Sequence, residues 1–376
     1  MTKVLLCGLW YHGSRERWAV GYRGSSRHEV HIIGMPGGRW RWLLRAGAVP
    51  LADAITDWVD EHGQPDLLLV SGLVDVAHLL GLARRSLRSI PPVVIYQHES
   101  QLVYPGRRAE EQEAALRNWL SWCAADLVLF NSAYHRDALL AELPQFLERI
   151  PDRTHEAKLD AVAERFEVLP VGVDIAPFRR REHGGGRRAA ADDDGPSILW
   201  PHRWEPDRDP DAFGGALDKL IAAGVPFRLA LAGEEPPGGS QHTGKVRASF
   251  AERFRAHVEA VGPFDRDRYR ELVRAADIVV SCTTHEFFGV SVVEAVAAGC
   301  RPVLPAALSY PELIPPPWHD IALYPQGRFG SALVDAVTNV DRDRDSLVGL
   351  AETMDRFDWS VVAPRYDERF ARLLES

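Results

Sequence analysis

The 376-residue sequence predicts an α/β protein made of two doubly wound domains, each built on a parallel sheet. Three observations predict it. Short apolar strand segments alternate with helical stretches along the whole chain. Several of those segments, such as LLLV and VVIY, are apolar at consecutive positions, as expected of strands covered by helices on both faces. The alternation breaks once, at a glycine-rich charged stretch, and then restarts.

In the first half the strands are expected at Lys3–Leu9, Glu29–Ile33, Asp66–Ser71, Pro92–Gln97, Asp126–Asn131 and Phe166–Val171. Helical stretches lie between them, for example Glu110–Ala125 and Ala133–Leu143. Residues 181–196, REHGGGRRAAADDDGP, combine three glycines, mixed charges and a closing proline, which marks a linker. Strands resume at Ser197–Trp200, Phe227–Ala232, Val258–Val261, Asp277–Ser281 and Arg301–Leu304. The segment from Phe357 to Ser376 reads as a last helix capped by Ser360, with Val361, Val362, Tyr366, Phe370, Leu373 and Leu374 on one face. The expected division is a first domain over 1–178, a linker over 179–196, a second domain over 197–355 and a terminal helix over 356–376 that packs on one domain or crosses back to the first. Ligands in such sheets bind outside the carboxyl ends of strands, so two facing domains would enclose a deep cleft.

Composition narrows the function classes. Apolar residues at 46% and charged residues at 26% are ordinary for a globular chain. The four cysteines, Cys7, Cys123, Cys282 and Cys300, are scattered, which speaks against a disulfide framework or a zinc site and for a reducing, cytoplasmic setting. No stretch approaches the ~20 apolar residues of a membrane span. A net charge of −9 speaks against a generally basic nucleic-acid binder, though not against a local basic surface.

The most informative stretch is ADIVVSCTTHEFFGVSVVEAVAAGCRPVLP, residues 276–305. A buried strand leads into a short polar loop, then Phe287–Gly289 open a helix that stops at Gly299. Unpaired N–H groups and the positive dipole end at such a helix start suit a diphosphate without a metal. Gly289 permits close backbone approach. Glu286 lies at the mouth, where a sugar on that phosphate would sit. Glu294, about two turns further in, reaches toward the ribose end of a nucleotide. The bland alternative is a dipole-favouring acid and one solvated helix glutamate. A glutamate inside FFGVSVVEAVAAG is hard to explain as surface.

A second cluster follows the first strand of the second domain, in ILWPHRWEPDRDPDAF. Arg203 and Arg208 there would clamp a diphosphate and neutralise the leaving group. Surface pairing with Glu205, Asp207, Asp209 and Asp211 is the alternative. No D-x-D motif precedes a suitable strand, and Asp192–Asp194 sit in the linker, so no metal site and no cofactor are expected.

These residues resemble the retaining glycosyltransferases of the GT-B class, family 4 type, whose E-x7-E signature matches Glu286 and Glu294. Those enzymes carry an Arg and a Lys after the first strand of the second domain. Arg203 matches the first, and Arg208 stands where the Lys is expected, keeping the charge but not the geometry. The likeness is closer to the glycosyltransferase-like domain-containing proteins, through WPHRWEPDRDP, HEFFGVSVVEAVAAGC, YPEL, YQHESQLVYP (96–105) and ADLVLFNSAYHRDALL (125–140). That family includes the tRNA-queuosine α-mannosyltransferase, which moves mannose from GDP-mannose to the cyclopentenediol of queuosine in the anticodon of tRNA(Asp).

The resemblance implies roles. Glu286 would hold hydroxyls of the donor sugar and Glu294 the ribose, with N–H groups of Phe287, Phe288 and Gly289 on sugar and phosphate. Arg203 and Arg208 would stabilise the departing nucleoside diphosphate. His98, after the strand VVIYQ, would touch the transferred sugar, and Gly13 and Ser14 in the loop after the first strand would approach donor phosphate or acceptor. Glu99, Gln101 and Asn131 are acceptor candidates, as is Ser132. The reaction would be retaining, metal-free and without a covalent intermediate. For a tRNA acceptor, Arg39, Arg41 and Arg45 interleave with Trp40 and Trp42, a pattern suited to stacking and phosphate contact or to an amphipathic helix with buried tryptophans. Arg107, Arg108, Arg179–Arg181, Arg187 and Arg188 add positive charge. Two alternatives stay open: a GT-B enzyme with a small-molecule or lipid-linked acceptor, and a non-catalytic nucleotide-sugar or tRNA-binding protein. No membrane association and no obligate protein partner are expected.

Overall fold

A computed structural model describes residues 1–37, 40–103, 109–151, 155–180, 194–233 and 241–375. Two units divide the chain: 1–172 with 359–376, and 173–358. The first boundary falls at Gly172, so residues 173–178, assigned from sequence to the first domain, belong to the second unit.

Strands of the first unit are β1 (Lys3–Gly8), β2 (Glu29–Gly34), β3 (Leu67–Ser71), β4 (Val93–Gln97), β5 (Leu127–Phe130) and β6 (Phe166–Val168), in the parallel order β2-β1-β3-β4-β5-β6. The second unit holds β7 (Ser197–Trp200), β8 (Arg228–Leu231), β9 (Val258–Val261), β10 (Ile278–Val280), β11 (Arg301–Pro305) and β12 (Leu323–Tyr324), in the parallel order β12-β11-β10-β7-β8-β9. β3, β4, β5 and β7 are buried at every position, because helices cover both faces. Eleven of these strands fall where the apolar runs predict them; two-residue β12 carries no such run.

The terminal helix, Trp359–Glu375, belongs to the first unit. Its seat explains the return. The Trp359 ring fills the space left by two glycines: a Cβ on Gly21 or Gly172 would lie 2.1 or 2.2 Å from it. Asp367, 2% exposed, accepts from Tyr22 Oη at 2.9 Å, Ser26 Oγ at 2.6 Å and Arg27 N at 2.8 Å. Tyr366 stacks on Tyr96 of β4 at 5.7 Å and donates to the Pro170 carbonyl at 3.1 Å. The helix starts two residues earlier than a Ser360 cap implies, so Ser360 lies in its first turn rather than at the cap. Val361 is exposed, while Ala363 and Asp367 join the buried face. Asp367→Ala strands three donors in this seat and is expected to destabilise the first unit by about 3 kcal/mol. Thermal unfolding measures it, with Asp367→Asn losing less, and an unchanged midpoint would contradict the seat.

Among the described residues no helix is long and apolar enough to cross a membrane.

Candidate active site

In the second unit the loops after β7, β9 and β10 all leave the carboxyl edge of one parallel sheet, the edge at which such folds bind ligands. The loop after β10 leads to the helix Val290–Ala297, preceded by Gly289 at φ +93°, a left-handed conformation that favours glycine. Gly299, at φ +82°, follows its end as expected. The buried Tyr310 supports Gly289 from below and donates to Ser281 Oγ at 2.8 Å.

Glu286 and Arg208 meet here. Arg208 Nη1 donates to Glu286 Oε2 at 2.8 Å and to the His285 carbonyl at 3.1 Å, and Nε lies 3.4 Å from Asp207. Their side chains are only 18% and 11% exposed. Arg208 is therefore not one of the surface pairs that the acidic neighbours suggested. Thr283 Oγ1 donates toward the carbonyls of Asp207 and His285 at 2.8 and 2.9 Å, and Thr284 N reaches Asp207 O at 2.8 Å, tying the β10 loop to the β7 loop. Burial alone would raise the Glu286 pKa, but Arg208, with His202 and the Phe288 N–H, holds the carboxyl below its ordinary value. His202 beneath them donates from Nε2 to the Val280 carbonyl at 3.1 Å. Burial, helped by Arg208, pushes its pKa down to about 3, so it is a neutral imidazole at pH 7.

Three expectations need correction. The N–H groups of Phe287 and Phe288 point to Glu286 Oε1 itself, at 3.1 and 3.4 Å, so the glutamate occupies donors assigned to the ligand. Arg203 is more exposed than Arg208 and pairs with Glu205 at 3.0 Å, the surface alternative. Glu294 lies little more than one turn into the helix, because the helix begins at Val290. Its carboxylate accepts from Arg266 Nη2 on Oε1 and from Tyr269 Oη at 3.0 Å on Oε2.

In the first unit, His98 follows β4 and its ring lies edge-on to Trp18 at 4.7 Å and Tyr96 at 4.8 Å. Its Nε2 is buried with no hydrogen-bond partner among the described residues. Burial, then the charges of Arg15 and His135, hold it well below the usual histidine pKa. Gly13, at φ +59°, starts the helix Gly13–Ser25 after β1, and Ser14 is exposed beside it. Glu99 pairs with Arg15 at 2.9 Å. Gln101 and Asn131 are not open acceptor contacts. Gln101 donates to Glu99 Oε1 at 3.1 Å and accepts from Asn118 at 2.9 Å. Asn131, buried, donates to the His98 carbonyl at 3.0 Å and accepts from His135 Nδ1 at 2.8 Å. Ser132 caps the next helix by accepting from His135 N at 3.0 Å. These residues shape the strand ends around His98.

Trp42 is 66% exposed on the helix Trp40–Ala46, against the alternative that buries both tryptophans, and Arg45 pairs with Glu113 at 2.7 Å. Arg39, the side chains of Trp40 and Arg41, Arg107, Arg108, Arg181, Arg187 and Arg188 lie outside the described residues. Sequence reading missed Arg15, Thr283, Arg266 and Tyr269, whose partners are remote in the chain.

Comparison with known proteins adds to this geometry. A family model described as tRNA-queuosine alpha-mannosyltransferase N-terminal matches residues 3–173, and one described as glycosyl transferases group 1 matches residues 187–317. The tRNA-queuosine alpha-mannosyltransferase of Drosophila melanogaster is 30% identical over 321 residues, 83% of this chain and 81% of that protein. Among solved structures, Anabaena Alr3699/HepE in complex with UDP-glucose aligns at TM-score 0.71 and 18% identity, over 99% of this chain and 100% of that one. The catalytic domain of starch synthase IV from Arabidopsis thaliana, bound to ADP and acarbose, aligns at 0.73 and 12% identity over 100% of both chains. These structural likenesses support the fold alone, the α/β two-domain glycosyltransferase architecture.

Proposed function

Because the chain belongs to the tRNA-queuosine alpha-mannosyltransferase family and is a glycosyltransferase, we propose that it transfers mannose from GDP-mannose to queuosine in tRNA(Asp), with retention and without a metal. The observation that carries this reading is the 321-residue similarity running through both units, since a donor site alone would fit many sugar transferases. The buried Arg208–Glu286 pair supports the donor half. Arg208 takes up charge on the departing diphosphate, and Glu286 accepts from donor-sugar hydroxyls. The acceptor hydroxyl attacks the anomeric carbon on the face from which GDP leaves; the new C–O bond forms as the bond to phosphate breaks, and a phosphate oxygen takes the proton. His98, which burial holds well below the usual histidine pKa, is the first unit's candidate for contact with the transferred sugar. The exposed Trp42 supports base stacking by the tRNA. Four free thiols and the tRNA acceptor favour the cytoplasm.

Incubation with GDP-mannose and queuosine-containing tRNA, followed by nucleoside mass spectrometry, tests the reading. The expected product is queuosine heavier by one hexose in α linkage, formed equally in excess chelator. An inverted anomer, a strict metal requirement, or transfer to small acceptors with none to tRNA would overturn the corresponding part.

A further inference from the structure

Beyond Gly8, the first strand does not simply stop. Its pairing with β2 continues to Met35, whose N–H donates to the Gly8 carbonyl at 2.9 Å, as the parallel ladder requires. The next bond of a regular ladder would run from Trp10 N to the Met35 carbonyl. That carbonyl accepts instead from Tyr11 N at 2.9 Å, so Trp10 is one extra residue, a β-bulge. Its backbone is left-handed, at φ +60°. Glycine takes that conformation freely, and a bulky side chain there is strained. Bulges beside ligand sites re-aim a side chain, and strain of this kind gathers where a side chain is put to use.

Leu9 is buried in the core, while Trp10 stays half-buried at the carboxyl edge of the first sheet. Glycines make room for the rings of this loop. A Cβ on Gly37 would lie 2.8 Å from the His12 ring and 3.8 Å from Trp10 Cδ1, and one on Gly34 would lie 2.3 Å from the Tyr11 ring. Neither glycine has a left-handed backbone, so space rather than conformation accounts for them. A Cβ on Gly47 would lie 2.7 Å from Leu9 Cδ2, which sets the end of the Trp42-bearing helix against the bulge. We infer that Trp10 is an acceptor-binding residue whose ring, together with Trp42, stacks on bases of the acceptor RNA. This rests on the tRNA reading above. Every base offers a π-face to an indole, whereas phosphate gains nothing from one. The first unit is also the half that the family's own N-terminal match covers, which places selection of the acceptor there.

Trp10→Gly separates this role from a structural one, because glycine takes φ +60° without strain. The thermal midpoint is expected to hold or rise, while KM for queuosine-containing tRNA rises about 10-fold or more. GDP affinity and kcat at saturating tRNA are expected to stay within about 2-fold. Trp10→Phe keeps a ring and should retain most of the tRNA affinity. Trp10→Leu is apolar and as strained as the tryptophan, and should lose affinity as Trp10→Gly does. The Phe and Leu variants decide the matter if Trp10→Gly does not fold. A tRNA KM unchanged in Trp10→Gly, or equal in the Phe and Leu variants, would overturn the assignment while normal transfer to tRNA left the acceptor reading standing. A donor KM that rises in step with the tRNA KM would also overturn it, by placing the ring on the nucleotide sugar. Transfer by the unaltered protein to small acceptors alone would remove the acceptor reading and this inference together.

Discussion

Arg208→Ala is expected to lower the rate of mannosyl transfer at saturating substrates about 10³-fold. Two losses combine. The first is the cation beside the departing diphosphate; removing one such group typically costs about 10²–10³ in rate. The second is the partner of Glu286. With the guanidinium gone, a carboxylate only 18% exposed keeps the Phe287 and Phe288 N–H groups but no counter-charge. Breaking a buried pair by removing one member costs about 3–5 kcal/mol. The pair is partly open to solvent, so the lower part of that range applies. Burial, now opposed mainly by the N–H groups, raises the Glu286 pKa, and the residual rate should fall away at a higher pH than in the unaltered enzyme. Arg208→Lys keeps the charge without the fork that spans Glu286, His285 and Asp207, and should recover only part of the rate. Arg203→Ala should cost less, since Arg203 is 43% exposed and paired with Glu205. Single-turnover rates decide it. A tenfold or smaller loss in Arg208→Ala would remove this arginine from the leaving-group role.

The legible part of this protein was the part written locally. Apolar strands, the glycines at 289 and 299, and the glutamates at 286 and 294 all follow from neighbours in the chain. Side-chain partners across long separations were not legible. Asn131 and Gln101 look like loop residues ready for a ligand until His135 and Asn118 are seen to hold them. Arg266 hides in DRDRYRELVR, where alternating charge suggests a solvated face. Only the fold brings Phe178 and Glu294 to it. The boundary at Gly172 likewise depends on a tryptophan 187 positions further on, counting from 172 to 359. A glutamate inside an apolar helix was a sound signal of an unusual site. What it contacts was set by a different helix.

Glu286→Ala is expected to reduce transfer at least about 10²-fold while nucleoside diphosphate binding stays level or tightens. The two effects part because of where the carboxylate sits. Oε1 accepts from Phe287 N and Phe288 N, and Oε2 from Arg208. Those are donors that an incoming diphosphate would also use, so the glutamate competes with the ligand for them. It also adds a like charge: two unit charges 4 Å apart repel by about 1 kcal/mol in water and about 4 kcal/mol at an effective dielectric of 20. Removing the side chain relieves both terms for GDP, which lacks the mannose that Glu286 would hold. Transfer loses the acceptor of the sugar hydroxyls and falls. Glu286→Gln, near in shape but neutral, should bind GDP at least as well as the unaltered protein and still transfer poorly. Because Arg208 keeps the Glu286 carboxyl ionised well below neutrality, the comparison at pH 7 is between a charged and an uncharged side chain, not between two protonation states. GDP titration beside single-turnover transfer separates the terms. If GDP affinity falls in step with the rate in both variants, Glu286 serves the nucleotide itself and the competition described here is absent.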